Sequence, residues 1–294
     1  MLSNEDAVKV FRDGRRGNSK NIFHENSRTL YSYGYHFILA VRLNTGEYLI
    51  NGDTYSSSTS RHTSLCIRHL TPNVIIPFSA LNQVTTEYSA IKMVDRSSDI
   101  YIPRIRRDPK TGEIIEYNEH RLGSAVIEIE GKHYLSSIDA GAKDRGGYFL
   151  VELPENVTSV DEAFDTLFPE DLARDAPHVR QGEFFFEPTN MQTKELADKH
   201  LRRHMESWGQ FDDNSSRMVH RFPIKDQNNL ARYFPNAGTG HAHIVTEIRQ
   251  KDGDIYVRGT IRHPEHKILV LGKIWHRVYV NRAVRSFSAS GNVD

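Results

Sequence analysis

Cysteine is almost missing: Cys66 is the single thiol in 294 residues. One thiol excludes an intrachain disulfide framework and any cysteine-built zinc site. It lies in the apolar run Leu65, Cys66, Ile67 and reads as a small core residue rather than a nucleophile. Charge imbalance is missing too. Lys and Arg number 38, as do Asp and Glu. No global field therefore draws the chain to nucleic acid or anionic lipid, and any basic recognition surface has to be local. No stretch approaches the ~20 apolar residues that span a bilayer. The start, M-L-S-N-E-D-A-V-K-V-F, lacks the basic and apolar regions of a signal peptide. These absences predict a cytoplasmic, reducing setting and no membrane partner.

What remains has the proportions of a folded chain, 38% hydrophobic and 26% charged, and is long enough for one large domain or two ordinary ones. Ser3 with Asp6 marks a helix start, with Ala7, Val8 and Phe11 as its apolar face. From about Tyr31 the pattern turns to strand. Y-H-F-I-L-A-V-R-L, N-V-I-I-P-F, D-I-Y-I-P, S-A-V-I-E-I-E and H-Y-L-S-S-I-D follow one another with turn signals between them, the last two closing over Gly131-Lys132 as a hairpin. Ser159 with Glu162 predicts a capped helix that Pro169 stops. Thr189 with Gln192 predicts a second one running to about Trp208. Strand patterns return in H-I-V-T-E-I-R, D-I-Y-V-R-G-T-I-R-H, K-I-L-V-L and H-R-V-Y-V-N-R. The expected fold class is mainly β (α+β), with a β-rich N-terminal domain over 1–175. A C-terminal small β domain follows over 176–294, carrying a helical insertion at about 190–208.

The densest chemistry lies in G-T-G-H-A-H-I-V-T-E, Gly238 to Glu247, and R-H-P-E-H, Arg262 to His266. Strand side chains alternate, so His241, His243 and Glu247 are expected on one face. Imidazoles and a carboxylate converging from one face are the ligands of a zinc, iron or manganese site. His276 is the expected fourth ligand, with His263, His266 and Glu265 as additional candidates. His200 and His204 share a helix face at i and i+4, but the glutamate of a zincin motif is absent between them.

H-x-H-x-x-x-E resembles the first metal-binding motif of the cupin family, and Gly272, His276 and Asn281 roughly follow the order of its second motif. The leading glycine is displaced and the second motif's proline is missing. The resemblance, over Gly238 to Asn281, implies a small β-barrel holding a divalent metal with histidines and a glutamate. The tail, together with V-R-Q-G-E-F-F-F from Val179, is also similar to a group of uncharacterised bacterial and phage proteins. Those carry an R-Q-G-D opening, a T-G-H-A-H centre, an H-x-E-H segment and an L-x-x-G-x-x-R-V ending. That likeness implies no activity.

Other readings stand beside the metal. His241 or His243 with His263 supplies a general base and acid, and Arg262, Arg277 and Tyr279 supply phosphorane stabilisers, as in metal-independent ribonucleases. In the N-terminal half, Tyr31, Tyr33, Tyr35 and Phe37 are expected on one strand face near Arg28. With Arg61 in the hydroxyl-rich T-Y-S-S-S-T-S-R-H-T-S stretch, and with Arg104, Arg106 and Arg107, they form a candidate surface for RNA or single-stranded DNA. A structural or assembly role with incidental histidines is the third reading, and the sequence is compatible with a homo-oligomer.

Overall fold

The computed structural model describes residues 1–53, 55–107, 111–121, 123–139, 147–196, 209–211, 218–221, 243–263, 266–283 and 285–287. Within these the chain is mainly β with a few short helices. It divides into two compact units. Unit one comprises Met1–Ile138, Tyr148–Leu150 and Glu155–Ala163; unit two comprises Asp139–Gly147, Val151–Pro154 and Phe164–Asp294.

Unit one opens with α1 (Asn4–Arg12), where the Ser3 hydroxyl accepts from the Asp6 N–H at 3.0 Å. Its apolar stripe, Ala7, Val8 and Phe11, is fully buried. Strands β1 (Ile22–Phe23), β2 (Thr29–Ser32), β3 (Gly34–Arg42) and β4 (Tyr48–Asn51) form an antiparallel meander. Then α2 (Ser57–His69) carries the chain across to β5 (Asn73–Ile76), which adds parallel to β4. The serine-rich stretch is therefore a helix, although hydroxyl residues favour turns. Ser56 and Thr59 close a capping box, the Ser60 and Ser64 hydroxyls bond back to carbonyls one turn earlier, and Thr59, His62 and Cys66 supply the buried stripe.

After α3 (Phe78–Leu81) come β6 (Lys92–Arg96), β7 (Ile100–Arg107), β8 (Ile114–Arg121), β9 (Ala125–Ile129), β10 (Lys132–Ile138) and β11 (Tyr148–Glu152). Strands β7 and β8 pair as a separate ribbon, while β11, β10, β9 and β6 lie side by side in that order. The β9–β10 turn is Glu130-Gly131, one residue earlier than expected. Both residues have positive φ (51° and 79°), as a primed two-residue turn requires. Helix α4 (Val160–Leu167) starts where Ser159 accepts from the Glu162 N–H.

Unit two is built on one antiparallel sheet. Its strands are β12 (Val179–Gln181), β13 (Phe184–Pro188), β14 (Gly209–Phe211), β15 (Met218–Arg221), β16 (Ile244–Lys251), β17 (Asp254–Arg262) and β18 (Leu269–Val280); β19 (Arg285–Phe287) follows them in the chain. The spatial order is β12-β13-β18-β17-β16-β15-β14. The end strands β12 and β14 do not pair, so among the described residues this sheet does not close into the barrel that the cupin resemblance implies. One face buries Phe184, Phe186, Val245, Val257, Ile261 and Leu271. The other carries Leu196, Tyr256 and Trp275, and further along Leu172, Phe185 and Tyr279. The helix expected to begin at Thr189 is, in its described part, a single 3-10 turn over Thr193–Leu196. Thr189 does not cap it: its hydroxyl donates to the Trp275 carbonyl at 2.9 Å, and Glu195 accepts from the Gln192 N–H instead. Residues 197–208, with His200 and His204, lie outside the described residues.

His62 shows how unit one satisfies a buried ring. Asn4 Nδ2 donates to its Nε2 (3.0 Å), which leaves Nδ1 to donate to Ser32 Oγ (2.8 Å). Burial pushes the His62 pKa below its usual value. As pH falls below about 6.5, the unfolded chain takes up a proton that the folded one resists, so stability present above that pH is lost. The urea midpoint of the wild type should fall between pH 7.5 and 5.5, and His62→Gln should flatten that fall. Parallel declines in the two proteins would exclude His62 as the responsible group.

Candidate metal centre

Pairing between β16 and β17 places Ile244 opposite Arg262. One step beyond that pair, His243 and His263 face each other with ring centroids 4.4 Å apart and nearly parallel. His266 turns back towards them, its ring 4.6 Å from His263 and 5.8 Å from His243. One nitrogen from each ring lies within 4.8 Å of the other two. All three residues are buried, at 3%, 2% and 5% exposure. Phe184, at the start of β13, packs edge-on against His243 at 4.7 Å.

Asp139 Oδ2 lies 2.9 Å from His266 Nδ1, which sets a carboxylate beside that ring. His266 Nε2 faces the two-residue turn Gly182-Glu183, which joins β12 to β13. Gly182 has φ +58°, and a Cβ there would lie 3.0 Å from His266 Nε2 and 3.6 Å from His243 Nε2. Arg180 Nε donates to the Gly182 carbonyl at 2.7 Å, and the carboxylates of Asp139 and Glu183 act on the same guanidinium.

Neutral imidazoles are good ligands for a borderline cation. With zinc–nitrogen bonds of about 2.0–2.1 Å, tetrahedral donors sit roughly 3.3 Å apart. The observed spread, within 4.8 Å, is wider than that. The three residues could hold a metal ion.

The ligand set expected from strand alternation is only partly assembled. His243 is in the cluster, and His263 and His266 join it. His241 and Glu265 lie outside the described residues. Glu247 is a correction. It forms an ion pair with Arg258 at 2.8 Å, and that guanidinium lies 4.6 Å from the Trp275 ring, on the far face of the sheet. A bulge causes this. Gly259, at φ +92°, inserts an extra residue opposite Thr246, and the pairing register shifts between Val245 and Glu247. Val245 and Ile248, three apart, both enter the same apolar cluster, so alternation breaks between them. His276 is a second correction. It pairs with Val257, several residues back along β17, which at about 3.3 Å per residue puts it on the order of 20 Å from the triad. Its Nδ1 bonds the Ile274 carbonyl, and burial lowers its pKa more than that bond raises it.

The stabilisers of the metal-free reading do not converge on the histidines either. Arg277 bonds Asp254 (2.9 Å), and the Tyr279 hydroxyl donates to Glu187 (2.6 Å) beside Leu172 and Phe185. Burial, then the Glu187 bond, raises the Tyr279 pKa. Arg262 is exposed.

In unit one, the expected aromatic face is also corrected. The chain reverses at Tyr33 (φ 58°), with Ser32 pairing Gly34, so Tyr31 and Tyr35 belong to different strands. Tyr31 and Tyr35 cluster with Phe23, Tyr33 lies against His62, and Phe37 packs on Tyr55. Tyr35 donates to Glu25, which sets a carboxylate within that cluster. Arg28 and Arg61 are exposed, and Arg104, Arg106 and Arg107 lie on β7.

No family model, curated protein or solved structure matches the chain.

The residues that sequence reasoning missed are Asp139 and Gly182. Asp139 carried no local signal. Gly182 was visible as the glycine of R-Q-G-E. Because the Glu247–Arg258 pair is partly exposed, Glu247→Gln should shift stability by only about 0.2–1 kcal/mol. Chemical denaturation checks this, and a loss well beyond that range would show that Glu247 has a further buried partner.

Proposed function

We propose that this chain is a divalent-metal-binding protein, with His243, His263 and His266 as ligands and Asp139 orienting His266. One observation carries the reading: three buried imidazoles from the ends of two strands and the following loop, with their nitrogens within 4.8 Å of one another. Zinc suits the site best among zinc, iron and manganese, because three neutral imidazoles and no carboxylate in the first sphere favour it over the harder ions. Three protein ligands are the number catalytic zinc sites use, which supports an enzymatic role. A reducing, cytoplasmic setting suits the buried Cys66.

Elemental analysis after zinc reconstitution and desalting tests the reading. The wild type should retain about one ion per chain. His243→Ala, His263→Ala and His266→Ala should each lose most of it, whereas Glu247→Ala and His276→Ala should keep it. Retention in His263→Ala, or no retention in the wild type, would end the claim. Asp139→Asn should bind zinc about 10- to 100-fold more weakly, as removal of an orienting partner does. A competition titration against a chromogenic chelator measures that loss, and an unchanged affinity would remove Asp139 from the centre.

A further inference from the structure

Gln181 ends β12 on the same side of the sheet as the three histidines. It pairs with Phe184 across the β12–β13 turn, and directly paired residues of an antiparallel ladder point to one face. Phe184 is the ring that meets His243 edge-on at 4.7 Å. The neighbouring pair, Arg180 with Phe185, takes the opposite face, where the guanidinium lies 5.4 Å from the Phe185 ring. A second contact fixes where the Gln181 side chain goes. Its Nε2 donates at 2.6 Å to the carbonyl of Lys267, the residue after His266. The carboxamide is thus held between the hairpin and the segment that carries His266.

That bond also fixes which way round the amide sits. A carbonyl only accepts, so the atom facing Lys267 is the NH2 group and the other is the acceptor Oε1. Gln181 is 5% exposed, and its Oε1 is shut off from solvent with no hydrogen-bond partner among the described residues. The cluster around Phe184 on that face is apolar and offers it no proton. An unmatched buried acceptor is unfavourable and calls for a donor other than these side chains. Gly182, the next residue, already approaches His266 Nε2 and His243 Nε2. The triad is where such a donor would be held.

Resting on the metal-binding reading, we propose that Gln181 is a positioning residue of the centre: its Oε1 accepts a hydrogen bond from a water molecule bound to the metal as fourth ligand. Three histidines leave one position of a tetrahedral ion for water, and the ion makes the O–H groups of that water stronger donors. A carboxamide oxygen carries no net charge, so it directs one O–H without neutralising the ion. With that O–H held by Gln181, the orientation of the water is fixed rather than free.

Two substitutions separate this role from plain anchoring. Gln181→Leu and Gln181→Glu both lose the amide donor to Lys267, but Gln181→Glu keeps an oxygen acceptor at the same reach. Zinc affinity is measured on the full chain by competition with a chromogenic chelator. Gln181→Leu should bind zinc about 10- to 100-fold more weakly than the wild type, as loss of a hydrogen-bond partner around a metal ion does. Gln181→Glu should bind at least as tightly as the wild type, because a carboxylate is the stronger acceptor and adds negative charge beside the ion. In the cobalt-loaded chain, the ligand-field bands of Gln181→Glu should move from their wild-type positions. Equal losses of zinc affinity in the two variants, with cobalt bands unmoved, would show that Gln181 only anchors the hairpin. That result overturns the proposal and leaves metal binding standing. No zinc retention by the wild type would overturn both. If one variant does not fold, the other decides: unchanged zinc affinity in Gln181→Leu, or unmoved cobalt bands in Gln181→Glu, overturns the proposal.

Discussion

Three imidazoles share one buried pocket at the edge of an apolar sheet face, and the local structure of unit two is arranged around that constraint. A transition metal binds imidazole in its neutral form, and three such rings lie together here, each nearly sealed from water. The surroundings agree. Phe184 presents its edge to His243, and the Asp139 carboxylate lies 2.9 Å from His266 Nδ1. A glycine turn approaches where a Cβ would crowd His266 Nε2 at 3.0 Å.

The bulge at Gly259 decides which side chains take part. Without it, β16 would keep its two-residue alternation and send Glu247 to the face that holds His243. With it, the strand serves both faces in succession. His243 and Val245 belong to the histidine side, Glu247 belongs to Arg258 and Trp275, and Ile248 packs again with the Val245 cluster. The bulge is held by specific contacts: the Thr246 hydroxyl accepts from the Thr260 N–H at 2.9 Å, and a Cβ on Gly259 would stand 2.6 Å from Thr246 Cβ. One glycine thereby keeps the Glu247 carboxylate away from the three histidines.

Much of the secondary structure was legible because its causes are local. The Ser3 cap, the Ser159 cap and the alternation in β9 and β10 depend on residues a few positions apart. The serine-rich α2 was not, since hydroxyl residues by themselves favour turns and the deciding term is the burial of His62 and Cys66 against the core of unit one. The Tyr33 reversal was hidden because tyrosine rarely takes positive φ. At the site, clustering of histidines in sequence pointed to the stretch that holds His243, His263 and His266, while period-two reasoning picked Glu247 and motif order picked His276. Both choices assumed regular strands. Neither a one-residue insertion opposite Thr246 nor the register of β18 against β17 leaves a mark in composition or spacing.

The hardest part to read was Asp139, more than a hundred positions before His266, and it shows what holds the centre together. The groups around it come from the end of β10, the β12–β13 turn, and the strand ends and loop from His243 to His266. Bringing such distant segments together costs loop-closure entropy that grows slowly with length, so wide separation in sequence is a modest penalty once the sheet has formed. The sheet meets that cost: Gln181 Nε2 donates to the Lys267 carbonyl at 2.6 Å, which ties the β12–β13 hairpin to the segment carrying His266. Phe184 and Phe186 bind the same hairpin to Val245, Val257 and Ile261 through apolar burial. The framework that positions the histidines is thus secured by hydrogen bonds and apolar contacts that need no ion. A metal arriving at that framework would find its ligands already close, and its binding free energy would go into the site instead of into folding the sheet.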